Sequence, residues 1–158
     1  MTATAVEAPA PVAVARFYGD EPLRDPKGFL RMARSRLRRV DFDTVVATGL
    51  SGIPAATLLG NSMRKHILIV RKPDDTSNHH GGKSVGELGQ RWIFVDDFIS
   101  SGATRRRVAE EVVRLAEWNR EFLYRNSEVQ PVYVGSYLFK DEEWVPSPDG
   151  SVPQGRYL

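Results

Sequence analysis

Four short apolar runs, TVVATG, HILIVRK, RWIFV and PVYVGSYLF, alternate with segments whose apolar residues recur at helical spacing, and no other feature constrains the fold as tightly. The segment KGFLRMARSRLRRV places Phe29, Ala33, Leu37 and Val40 on one helical face. IPAATLLGNSMRK reads as a short helix with Pro54 near its start, and RRRVAEEVVRLAEWNREFL carries Val108, Val112, Leu115 and Phe122 on one side. Strands alternating with helices imply an α/β protein: a parallel β-sheet of about four to five strands flanked by helices, joined by right-handed crossovers. With 158 residues, 41% of them apolar, the chain can bury one core without covalent staples. Residues 1–15 read as a disordered tail and 16–158 as a single domain.

The formal net charge is only +2, so the total does not call for nucleic acid or an anionic membrane as partner, although arginines 31, 34, 36, 38 and 39 crowd one helix. The absence of cysteine excludes disulfides and thiolate chemistry, and fits a cytoplasmic protein. No apolar run reaches the ~20 residues of a membrane span. The opening MTATAVEAPAPVAVA lacks a basic n-region and is interrupted by Pro9 and Pro11, so it does not read as a signal peptide.

GGKS, closing the stretch SNHHGGKSVG, has the last letters of an ATP-binding P-loop. The glycine that such a loop needs further upstream is replaced by Ser77, and Gly86 and Gly89 disfavour the helix that should follow. What remains is a long polar loop over residues 73–90, of a length that is usually functional or disordered. The stretch ATGLSGIP likewise misses a nucleophile elbow, because Ile53 stands where the second glycine belongs.

Ligands of parallel sheets bind at the carboxyl ends of strands, which directs attention to ATGLSGIP, VRKPDD and VDDFISSGAT. In the third, a buried strand runs into Asp96 and Asp97, a costly arrangement for two carboxylates with no ligand. Ser100, Ser101, Gly102, Ala103 and Thr104 then open a helix, offering backbone N–H groups, hydroxyls and the positive helix end to a phosphate. Arg105, Arg106 and Arg107 follow in the first helical turn, where the dipole disfavours cations unless an anion is near. Acids for a sugar diol beside a phosphate nest describe a ligand such as a ribose 5-phosphate.

The run WIFVDDFISSGAT resembles the phosphoribosyl-pyrophosphate (PRPP) signature of type I phosphoribosyltransferases, with Phe98 bulkier than is usual at its position. The resemblance implies transfer of a 5-phosphoribosyl group from PRPP to a nucleobase, with release of pyrophosphate, in a cytoplasmic homodimer serving nucleotide salvage. It implies that Asp96 and Asp97 engage the ribose, with Mg²⁺ held mainly through PRPP and aided by these acids. Thr48, Gly49, Leu50, Ser51 and Gly52, with Arg71 and Lys72, take the places that bind pyrophosphate in the family. The polar loop resembles the family's lid over the substrate, with His80 and Lys83, in preference to His79, as groups assisting the leaving pyrophosphate. Lys140 and Trp144, after the last strand, resemble the base-reading pair of 6-oxopurine enzymes, which leans the acceptor towards a purine, with 141–158 as a C-terminal hood. A PRPP-sensing regulator of the same fold, using the arginine-rich helix on nucleic acid, is the alternative. A phosphatase or kinase with Asp96 as nucleophile lacks the second acid motif that it would need.

Overall fold

The computed structural model describes residues 13, 17, 19–73, 82–122 and 130–152, with residues 121–122 described in backbone only. Its elements are α1 (Glu21–Arg24), α2 (Pro26–Leu37), β1 (Thr44–Ala47), α3 (Gly49–Met63), β2 (His66–Val70), β3 (Ser84–Gly86), β4 (Arg91–Asp96), α4 (Ala103–Phe122), β5 (Val132–Leu138) and β6 (Glu143–Pro146). The strands form one six-stranded sheet in the order β3-β2-β1-β4-β5-β6. The four central strands, which are the four apolar runs of the sequence, are parallel. The two edges are antiparallel additions: β3 on β2 and β6 on β5. Neither SVG nor EWVP carries an apolar alternation long enough to mark a strand; backbone pairing with a strong neighbour makes them so. Part of the stretch expected as loop, and part of that expected as hood, is therefore sheet.

Alternation along the central strands sends side chains to two layers. Val45 and Ala47 of β1, with Ile93 and Val95 of β4, pack against Phe29, Ala33 and Leu37 of α2 and Ala55, Ala56 and Leu59 of α3. Val46, Trp92 and Phe94 face the other way, onto Val108 and Val112 of α4, with Leu115 partly buried beside them. The side chain of Phe122 lies outside the described residues. Helix α2 starts at Pro26 behind Asp25, whose Oδ1 accepts the Gly28 N–H at 2.9 Å, a cap worth about 1 kcal/mol.

At the amino-terminal edge of the sheet, Asp43 accepts the N–H groups of Gln90 (2.8 Å) and Arg91 (3.1 Å) and the Thr44 hydroxyl (2.6 Å). Burial works to raise its pKa, but these hydrogen bonds prevail and hold the carboxyl below its ordinary value. The clamp fixes where β4 enters the sheet, and so where it delivers Asp96 at its far end. No helix among the described residues is long and apolar enough to cross a membrane.

Candidate active site at the carboxyl edge of the sheet

A cleft of about 220 Å³ opens where β1 and β4 end, lined on its polar side by Thr48, Ser51, Lys72, Asp96, Asp97 and the turn leading into α4. The three turns singled out in the sequence do converge there. Asp96 ends β4; its Oδ1 accepts the Ser51 hydroxyl at 3.0 Å and the Asp97 N–H at 3.0 Å. Burial first, and the Asp97 carboxylate second, push the Asp96 pKa up to about 7, so the fold holds a half-neutralised acid pair. Asp97 is 8% exposed and accepts the Phe98 N–H at 2.9 Å. Its other flank is covered by Gly19: a Cβ there, at φ +88°, would stand 2.7 Å from Asp97 Oδ2 and 3.1 Å from Ser51 Cβ. Only glycine allows the amino-terminal strand of chain to lie this close to the acid.

Ser100, Ser101, Gly102 and Thr104 line the same cleft, and Ser101 Oγ accepts the Ala103 N–H at 3.3 Å. Arg106 Nη1 donates to the Ser101 carbonyl at 3.2 Å, and Arg107 donates to the Arg71 carbonyl (2.6 Å) and to Thr48 Oγ1 (3.3 Å). Arg106 thus braces the turn, and Arg107 the ends of β1 and β2. Arg105 is fully buried beneath the turn, and burial lowers its pKa. Nothing in the string RRR marks one of the three for burial, and what the sequence does not show is that Arg105 lines the cleft with no exposed surface.

The segment ATGLSGIP, expected as a pyrophosphate-binding loop, is mostly helix. Helix α3 begins at Gly49, with Thr48 as its extended N-cap residue, so Pro54 sits well inside it and leaves the Leu50 carbonyl without its usual helical donor. Gly49, at φ +72°, lies against Lys72, whose Cε would be 2.8 Å from a Cβ at that position. Lys72 therefore stands at the start of α3, and a cation beside a helix N-terminus is an arrangement that suits an anion. Of the other candidates for pyrophosphate, Leu50 is 76% exposed, Gly52 is buried where a Cβ would meet the Val95 carbonyl at 3.0 Å, and Arg71 donates to the Gly82 carbonyl at 3.3 Å; none of the three lines the cleft.

Lys83 is exposed and also stands outside the cleft lining, while His79 and His80 lie outside the described residues. Ser84, after GGK, opens a strand and donates to Glu111 Oε1 at 3.1 Å, which a P-loop, with its helix, would not do. Lys140 and Trp144 both make contacts within the fold. Lys140 Nζ pairs with Glu21, and Trp144 packs on the core, its ring lying 2.6 Å from where a Gly135 Cβ would be. Among the described residues no cluster of three or more His, Cys, Asp or Glu could cage a metal ion. Two hard carboxylates at one cleft suit Mg²⁺ that also takes oxygens from a bound phosphate ligand and from water.

No family model matches the chain. Over 99 residues, 58% of this chain and 51% of the relative, it is 37% identical to the orotate phosphoribosyltransferase of Methanosarcina mazei. Over 78 residues, 46% of this chain and 38% of the relative, it is 37% identical to the transcriptional regulator GfcR of Methanococcoides burtonii. The chain thus spans about half, or less, of the length of these curated relatives. Among solved structures, the adenine phosphoribosyltransferase of Thermoanaerobacter pseudethanolicus overlaps 76% of this chain and 75% of its own, at 22% identity and a TM-score of 0.43. The turn at the end of β4 thus sits on an α/β sheet in a chain whose sequence is similar, over about half of either length, to a named orotate phosphoribosyltransferase and to named transcriptional regulators.

Proposed function

We propose that the protein binds PRPP with Mg²⁺ and transfers its 5-phosphoribosyl group to a nucleobase, releasing pyrophosphate. The observation that carries this reading is one cleft holding Asp96 and Asp97 on one side of the Ser100–Thr104 turn, with Lys72 and the α3 N-terminus opposite. The turn and the positive end of α4 receive the 5-phosphate. The acids accept the ribose hydroxyls, Asp96 being the one whose ionisation the fold resists and a bound cation favours. Lys72 and the N–H groups at the start of α3 hold the diphosphate. When bound, Mg²⁺ supplies charge neutralisation at the departing pyrophosphate, with Asp96 and Asp97 as its protein-side oxygens. Lys83 closes from the loop onto the leaving group, acting where charge develops.

The acceptor is left open between base classes. A purine preference rested on Lys140 and Trp144, which are paired with Glu21 and packed on the sheet. A relative of this chain is named for orotate, which favours including pyrimidines. The test is incubation with PRPP, Mg²⁺ and guanine, hypoxanthine, adenine, uracil or orotate, read by pyrophosphate release. Release with one base supports the proposal; no binding of PRPP at all defeats it. A second reading, a PRPP-sensing regulator, is favoured by the relatives named as transcriptional regulators, and predicts saturable PRPP binding with no release.

A further inference from the structure

Helix α2 carries Lys27, Arg31, Arg34 and Arg38 (the last at its C-cap) at spacings of four, three and four residues, which align them in one stripe. The stripe lies opposite the buried face of Phe29, Ala33 and Leu37, and all four cations are exposed. Neighbours on it are about 5–6 Å apart, and the whole runs about 16 Å along the helix axis. From Pro26 to Val40 the sequence has no Asp or Glu. The nearest acids are already used: Asp25 caps the helix and Asp41 pairs with Arg91 Nε at 3.1 Å. Among the described residues no ion pair reaches Lys27, Arg31 or Arg38. Arg34 donates to the Ser62 carbonyl at 3.0 Å, which brings the end of α3 and the exposed Arg64 alongside. A net charge of +2 for the whole chain conceals this concentration.

We propose that this face binds the phosphate backbone of duplex nucleic acid without reading sequence. Like charges this close repel one another in the free protein, and an array of phosphates relieves the repulsion while releasing counterions. The surroundings separate this ligand from other polyanions. A membrane-surface helix needs an exposed apolar flank, and none of the exposed large apolar residues of the described chain lies on α2. Single strands are held largely by stacking on aromatic rings, and the one aromatic residue of α2, Phe29, is buried in the core. A straight row of cations with nothing to stack on or insert suits a rigid double helix. The face is on the α2 layer and does not include the cleft residues, so the proposal stands independently of PRPP chemistry.

The test is fluorescence anisotropy of a labelled mixed-sequence duplex with the full chain, from 50 to 200 mM salt. Four phosphate contacts give a log–log slope of about −3.6, an affinity loss of about a hundredfold over that range. The variant K27Q/R31Q/R38Q, which spares the Arg34 bond to α3, should bind at least about tenfold more weakly at the lowest salt, with a slope closer to −1. The charge-keeping variant K27R/R31K/R38K should bind as the parent does, and thermal melts and PRPP binding should be the same in all three. Absence of duplex binding at 50 mM salt, tighter binding to a single strand or to anionic vesicles, or an undiminished K27Q/R31Q/R38Q variant would each overturn the proposal.

Discussion

Replacing Asp96 by Asn should stabilise the ligand-free protein, and only above mid pH. The amide oxygen can still accept the Ser51 hydroxyl and the Asp97 N–H, so the two hydrogen bonds survive while the charge is removed. The fold raises the acid from its ordinary 3.8 to about 7. A raised acid costs nothing below its unfolded pKa, a growing amount between the two values, and a constant amount above the folded one. Three units correspond to about 4 kcal/mol as an upper bound, and relaxation of a polar, partly open cleft together with sharing of the proton with Asp97 brings the expectation nearer 2 kcal/mol. For a domain of this size that is about 4–8 °C in the thermal midpoint. Melts of the two proteins from pH 4 to pH 9 should coincide at the acid end, diverge between pH 4 and 7, and run parallel above. PRPP with Mg²⁺ should then stabilise the native protein more than the variant, because the cation favours the carboxylate. A midpoint difference independent of pH, or a less stable variant at pH 8.5, would refute the claim that the acid pair is held against its own ionisation.

Three further outcomes are expected. Asp97→Asn, which keeps an acceptor for the Phe98 N–H, should lower turnover by about two orders of magnitude or more with little loss of fold, measured by steady-state pyrophosphate release; full activity would remove Asp97 from the ribose site. Lys83→Ala should reduce turnover more than PRPP affinity, by up to a few kcal/mol in the barrier, and PRPP with Mg²⁺ should slow proteolysis near Lys83 where ATP does not; protection by ATP would revive the P-loop. Asp43→Ala should orphan the N–H groups of Gln90 and Arg91 and cost about 1–3 kcal/mol by denaturant unfolding; unchanged stability would remove the clamp. Because the Asp43 pKa is lowered, that loss is fully present above about pH 4 and fades as pH falls through the folded value.

The central strands and the acid–phosphate turn are legible in the sequence because their signals are local. Each parallel strand is a run of apolar residues covered on both faces, and VDDFISSGAT carries its strand end, acids and helix start within ten residues. The edges are not legible, since three residues of β3 and four of β6 are too few to show a period. The start of α3 is obscured by Pro54, which reads as a first-turn residue although the helix tolerates it further in. Lys140 and Glu21 are 119 residues apart, and Gly19 and Asp97 are also remote in the chain, so neither contact leaves a mark on neighbouring residues.

The two antiparallel edges bear on how copies of this chain can meet. A long exposed parallel edge would invite a second sheet to continue it, as happens in strand-mediated association and fibres. Here the margins are strands of three and four residues, turned against the direction of the interior, one of them bearing a Val85 that is 65% exposed. Such margins offer too few free backbone groups for a neighbouring sheet to grip. Association of copies is therefore expected through helices and turns more than through a continuous sheet, and deleting β6 is expected to promote edge-to-edge aggregation through the uncovered β5, read by light scattering.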